Sequence, residues 1–195
     1  DYLKKNNYKT LSIDEFYEWK TGNITLPYKS VLITFDDGFL SNYEYAFKLL
    51  NEYNMKATVF VVGSFVDNSK TDEWNGNIKT YMTKDILMNI KNEYPNIDIC
   101  SHSYNLHYQG AINQNEDILI EDIKKFNDFY PDTDVFCYPF GQYNDLDIKV
   151  LKENGYKLAF TTKGGRVKKG SSKYELPRVR ISGNTGISEF KKKIE

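Results

Sequence analysis

An α/β fold built on a largely parallel sheet, open or closed as a barrel, is what this sequence predicts, and three observations lead there. Short apolar runs alternate with helical patterns along the whole chain, the signature of βαβ units. A length of 195 residues with 40% hydrophobic content supports one well-packed domain and demands no second. Three of the apolar runs end in chemically loaded residues, as strands do at the functional end of a parallel sheet.

The elements follow in order. Ser12-Ile13-Asp14-Glu15 opens an early helix with a capping-box pattern. Val31–Phe35 (VLITF) is the first strand candidate, followed by a helix over Ser41–Tyr53 with Ser and Asn at its start. Ala57–Val62 (ATVFVV) is the next strand, and Val62-Gly63-Ser64 reads as a polar turn. Asn68–Asn77 is read as a long loop. Thr83 caps a helix over Thr83–Tyr94, and Ile97–Cys100 (IDIC) forms a strand. A helix over Glu116–Tyr130 precedes the strand Val135–Tyr138 (VFCY). A helix over Asp145–Asn154 stops at Gly155, and Lys157–Thr161 is another strand. Lys163–Lys173 reads as a loop before a last strand over Leu176–Ile181 (LPRVRI). Lys191-Lys192-Lys193 reads as a solvated helix end.

Charge and composition exclude some classes. A net charge of -1 and a pI of about 6.2 draw the protein neither to nucleic acid nor to an anionic membrane. No stretch approaches the length of a membrane-spanning helix. Cys100 and Cys137 have no spacing motif, so buried free thiols are the expectation. The chain begins with Asp1, without Met, inside a helical pattern, and so reads as a fragment of a longer protein. Aromatic residues reach 15%, 16 of them Tyr; most of these fit half-buried packing, and some suit a carbohydrate groove.

The chemistry gathers at strand ends. VLITF runs into Asp36-Asp37-Gly38, IDIC into a segment with both histidines of the chain, His102 and His107, and VFCY into Pro139-Phe140-Gly141. A turn explains one acid after a strand; two adjacent carboxylates at a buried strand end repel unless a cation sits beside them. A histidine spacing of five fits neither one helix face nor one strand face, so either the two are unrelated or a loop folds both rings onto a partner from another part of the chain. One carboxylate with two imidazoles makes a facial ligand set with open positions, suited to a hydrolytic zinc ion or to non-haem iron(II). A second carboxylate left free beside it favours hydrolysis, since it can take a proton from a metal-activated water.

Thr34-Phe35-Asp36-Asp37-Gly38, the His-Ser…His segment and Pro139-Phe140-Gly141 resemble the polysaccharide deacetylase family, the NodB-homology group of carbohydrate esterase family 4. Leu3–Thr10, Ala57-Thr58-Val59-Phe60 and Leu176-Pro177-Arg178 extend the resemblance over essentially the whole chain. It implies a distorted (β/α) barrel of about seven parallel strands in one domain, residues 1–195, that removes acetyl groups from N-acetylated sugars. It further implies Asp36 as catalytic base, and Asp37, His102 and His107 as ligands of one divalent ion, zinc first. Pro139, Phe140 and Tyr138 would line the substrate groove, with the Phe140 backbone N–H on the oxyanion.

The departures narrow that picture. The five-residue histidine spacing looks like the branch acting on poly-N-acetylglucosamine of biofilm matrices. Cys137 stands where many members carry an arginine that tethers the base; Arg178, then Arg180, are the candidates to replace it. No third histidine is present to serve as general acid. The resemblance therefore implies a monomeric, extracellular or cell-surface enzyme acting on an N-acetylglucosamine-containing polysaccharide, anchored if at all through a segment outside this chain. A degenerate domain that binds glycan without turnover is the alternative. A metal-dependent phosphoesterase is weaker, since no Gly-rich phosphate loop and no basic pocket beyond Arg166, Lys168 and Lys169 supports it.

Overall fold

The computed structural model describes residues 1–74, 76–108 and 114–195. The chain opens with helix α1 (Tyr2–Lys5), strand β1 (Lys9–Thr10) and helix α2 (Ile13–Thr21). The capping box at α2 forms as expected: the Ser12 hydroxyl accepts from Glu15 N, and the Glu15 carboxylate accepts from Ser12 N. The VLITF run divides into β2 (Ser30–Val31) and β3 (Thr34–Phe35). The reason is a change of partner: β2 pairs with β1, whereas β3 pairs with β4 (Ala57–Val61).

Between β3 and β4 the expected single helix is a π-helical segment, Asn42–Phe47, continued by α3 (Lys48–Glu52). Gly63 and Ser64 do not form a turn; they start helix α4 (Gly63–Asp67), whose first amides are hydrogen-bonded to the carbonyls of Ser103 and Tyr104. The expected loop over Asn68–Asn77 contains an antiparallel hairpin, β5 (Thr71–Trp74) and β6 (Asn77–Thr80). Its signal is in the sequence, an Asn-Gly pair of the kind tight hairpins favour, and Gly76 takes φ +73, which glycine tolerates without a Cβ clash.

The remaining elements fall close to expectation. They are α5 (Lys84–Glu93) capped by Thr83, β7 (Ile97–Ser101), α6 (Glu116–Phe129), and β8 (Val135–Cys137) with a 3-10 turn at Pro139–Gly141. Then come α7 (Asp145–Glu153), β9 (Leu158–Gly164), β10 (Leu176–Arg178) and α8 (Ile187–Ile194). β10 stops at Arg178, short of Ile181.

Six parallel strands form one curled sheet in the order β10-β9-β8-β7-β4-β3, a half-barrel, with β1-β2 as a separate parallel pair beside it. This is the distorted barrel expected, with six strands in the continuous ladder. Pleat alternation divides the strand side chains. Phe60, Cys100, Cys137, Phe160 and Leu176 pack on one face with Leu11 and with Phe16 from α2. Val59, Val61, Ile97 and Ile99 pack on the other against Leu87, Ile90 and Phe126 of the helices. Phe60 is fully buried, and its truncation to Ala would cost about 3–5 kcal/mol. Both cysteines are buried free thiols, and burial pushes both thiols up in pKa.

Candidate active site

The three loaded strand ends meet at the carboxyl edge of the sheet. Asp36 and Asp37 leave β3, His102 follows β7, and Pro139-Phe140-Gly141 follows β8. Asp37 takes φ +71 in the turn after β3, and its carboxylate faces both histidines. Its Oδ1 lies 3.1 Å from His107 Nε2 and 3.5 Å from His102 Nε2. Asp37, His102 and His107 each offer one donor atom, all within 4.8 Å of one another.

Each histidine is held by something the sequence does not announce. His102 Nδ1–H donates to the backbone carbonyl of Cys137 (2.6 Å), which fixes the ring and leaves Nε2 facing Asp37. The His107 ring sits among Phe140, Tyr108 and Phe65, with ring centres at 4.8, 4.9 and 5.4 Å. The loop between them is anchored from beneath, where the buried Asp122 carboxylate accepts the backbone N–H groups of Tyr104 (2.8 Å) and Asn105 (2.7 Å). Asp122 falls on the apolar spacing of α6 with Leu119, Ile123 and Phe126, so a charged residue at a core position was the available signal.

The other acid lives in a different environment. Arg178 on β10 grips Asp36 with two hydrogen bonds, Nη1 to Oδ1 at 2.6 Å and Nη2 to Oδ2 at 2.7 Å. The same guanidinium donates to Thr34 Oγ1 (3.3 Å) and to the Thr161 carbonyl (2.9 Å), which sets its plane. A second possible ligand group, Asp36, His102 and Cys137, also lies within 4.8 Å. It is the poorer one: both Asp36 oxygens are already neutralised by Arg178, and burial keeps the Cys137 thiol protonated.

Electrostatics separate the two acids further. Burial pushes the Asp37 carboxyl up, but the two imidazoles outweigh it and hold it well below the usual carboxylate range. Burial pulls His102 down; the contacts at Cys137 and Asp37 outweigh that and hold it well above the usual imidazole value. Both directions describe a pocket that favours positive charge between these side chains.

Of the residues expected to line a groove, Phe140 is 57% exposed and takes φ +56, a strained conformation for an aromatic residue that turns the chain sharply beside His107. Pro139 is buried at the start of the turn. Tyr138, expected with them, is not at the surface. It is 1% exposed and stacks on Tyr143 (4.6 Å) in the cluster behind the sheet. The pleat decides this: Cys137 faces inward, so Phe136 and Tyr138 face the helices. Arg180 makes no contact with Asp36; its carbonyl accepts from Lys193 Nζ.

Comparison with known proteins places this geometry. YxkH of Bacillus subtilis (strain 168), which carries a polysaccharide deacetylase name, is 32% identical over 100% of this chain and 66% of its own length. A poly-beta-1,6-N-acetyl-D-glucosamine N-deacetylase of Staphylococcus epidermidis is 29% identical over 94% of this chain and 65% of its own length. The chain thus spans just under two thirds of the length of these two relatives. In fold it is similar to the Streptococcus pyogenes deacetylase PplD, solved in complex with acetate, with a TM-score of 0.85 at 24% identity over 99% of this chain and 82% of that one. The polysaccharide deacetylase model matches residues 23–159, from the segment before β2 into β9, and by that match the chain belongs to the polysaccharide deacetylase family.

Proposed function

We propose that this chain, as one domain over residues 1–195, is a metal-dependent N-deacetylase acting on N-acetylglucosamine units of a polysaccharide. The observation that carries the reading is the different engagement of two adjacent acids: Asp37 joins His102 and His107, while both oxygens of Asp36 are taken up by Arg178. The donor set fits a divalent ion. One carboxylate oxygen and two imidazole nitrogens lie 3.1 and 3.5 Å apart, close to the ~3.4 Å between neighbouring donors on a tetrahedral zinc. His102 presents Nε2 to the cluster because its Nδ1–H is engaged, and a divalent ion would take the place of a proton there.

When bound, such an ion, zinc first, lowers the pKa of a water towards ~7 and polarises the amide carbonyl. The chain's own groups supply the rest. Asp36, gripped and oriented by Arg178, takes the proton of the attacking water. The Phe140 backbone N–H, aimed by the turn at Pro139–Gly141, donates to the carbonyl oxygen as negative charge builds there. The C–O bond forms and the C–N bond breaks, giving acetate and a free amine. With both histidines in the ligand cluster, Asp36 is the group that returns its proton to the departing nitrogen.

The relative from S. epidermidis supports poly-β-1,6-linked N-acetylglucosamine as the substrate. Such a polymer lies outside the cell, so an extracellular or cell-surface setting and action as a monomer complete the reading. No described helix is long and apolar enough to cross a membrane. The test pairs metal analysis with acetate release from N-acetylglucosamine oligomers and from peptidoglycan. The expected result is one zinc per chain and acetate from the oligomers. Asp36→Asn should keep the zinc and lose about 10²–10⁴-fold in rate, and His107→Ala should lose the zinc. Glycan binding without acetate release by the zinc-loaded protein would establish the non-catalytic alternative instead.

A further inference from the structure

A cavity of about 20 Å³ lined by buried residues lies beneath the histidine loop, where α6, α7 and β8 meet. Its wall is mostly apolar, but Ser103, Asp122, Tyr138 and Asp147 also line it. Three polar atoms there, Ser103 Oγ, Tyr138 Oη and Asp147 Oδ1, are buried with no hydrogen-bond partner among the described residues. The residues themselves are 2, 1 and 4% exposed. Native folds rarely leave such atoms unpaired, and three around one cavity is a cluster that calls for a ligand.

The neighbouring oxygens are already engaged. Asp147 Oδ2 accepts from Asn144 N in the capping box of α7 (2.7 Å), so only Oδ1 is left. Both Asp122 oxygens hold the amides of Tyr104 and Asn105. A cavity of this size takes about one water molecule, and an internal water makes about three hydrogen bonds. The demand and the capacity match.

We propose that this cavity is a water site, with one molecule bonded to Ser103 Oγ, Tyr138 Oη and Asp147 Oδ1, and that it positions the histidine loop. The water donates to Asp147 Oδ1 and accepts from the Tyr138 hydroxyl, and Ser103 completes the set. Ser103 is the residue next to His102 and takes φ +69, a conformation a non-glycine residue keeps only when its surroundings over-determine it. Its carbonyl is held by Gly63 N (3.1 Å) and its hydroxyl by the water, while Asp122 fixes the next two residues. Ser103, Tyr138 and Asp147 are thereby positioning residues for the two imidazoles.

A high-resolution crystal structure of the whole chain tests the site, and zinc affinity by competition titration tests its consequence. The expected density is one water at hydrogen-bonding distance from the three oxygens. Tyr138→Phe keeps the ring and its stack on Tyr143 but removes the hydroxyl. It should lose the water and weaken zinc binding about tenfold, the low end for groups that orient ligands from outside the coordination shell. Tyr143→Phe, whose hydroxyl bonds Glu175 rather than the cavity, should leave zinc affinity unchanged. If Tyr138→Phe fails to fold, Ser103→Gly replaces it. This variant relieves the positive φ, so it should melt no lower than the parent and still bind zinc more weakly, a split that loss of stability alone does not produce. A cavity empty of density, a cation in it, or a zinc affinity unmoved by both variants overturns the proposal. The zinc readout rests on the ligand assignment given above. Failure of the parent to bind zinc refutes that assignment, whereas the density decides the water site independently.

Discussion

Arg178 and Asp36, 142 residues apart in the chain, join the two edge strands of the sheet through a bidentate ion pair at 2.6 and 2.7 Å. β10 and β3 are the open ends of the half-barrel, so the pair closes the seam at the level of the site. It holds one acid in a fixed plane while the next acid along the chain turns to the histidines. A planar guanidinium with several donors can do this; an ammonium on a flexible stem cannot.

Arg178→Lys should therefore keep the charge but lose the orientation. Acetate release should fall by about 10-fold or more, with zinc content unchanged, because general-base catalysis depends on aim as well as on pKa. Arg178→Ala should also lower stability by about 1–3 kcal/mol, less than for a fully buried pair, since Asp36 is one-third exposed. Urea unfolding beside an acetate assay separates the two effects. A lysine variant with parental rate would remove Arg178 from the mechanism.

Gly63 is required by a close approach. A Cβ at this position would lie 2.6 Å from Cδ2 of Tyr104, in the middle of the histidine loop. Gly63→Ala should push that loop outward, lower stability by about 1–3 kcal/mol and weaken zinc binding. Thermal melting and zinc titration read the two outcomes. A variant with parental melting temperature and parental zinc affinity would show that the loop is free to shift.

Glu15 ties the start of α2 to Lys9 (2.9 Å) and Lys56 (3.0 Å) as well as to Ser12 N. Burial pushes its carboxyl up, but these bonds outweigh it and lower it from about 4.5 to about 2. A carboxyl lowered on folding gives stability that is present above its unfolded pKa and is lost as pH falls through its folded one. Stability should thus decline between about pH 4.5 and 2, with about 1–2 kcal/mol of the loss from this group after screening. Glu15→Gln should flatten that part of the curve. An unchanged pH dependence of urea midpoints in this variant would assign the loss to other carboxyls.

Much of the fold was legible because its signals are local. The capping box at Ser12, the Thr83 cap and the apolar runs of β4, β7 and β8 each depend on neighbours a few residues away. The hairpin at Asn75-Gly76 was equally local, but its strands are too polar to stand out from a loop. The π-helical segment after β3 leaves no such mark, since its residues suit an α-helix as well.

By itself the sequence determined the parallel α/β architecture and the three strand ends, with both histidines, that the fold brings together. Only the tertiary structure decided what those ends do to each other. It brought Arg178 to Asp36, set the Cys137 carbonyl behind His102, placed Asp122 under the loop and turned Tyr138 away from the groove. Each of these depends on strand register, sheet curl and the side of the pleat on which a residue falls. A one-residue change in that parity moves a side chain from the site to the core without altering the pattern that predicted the strand.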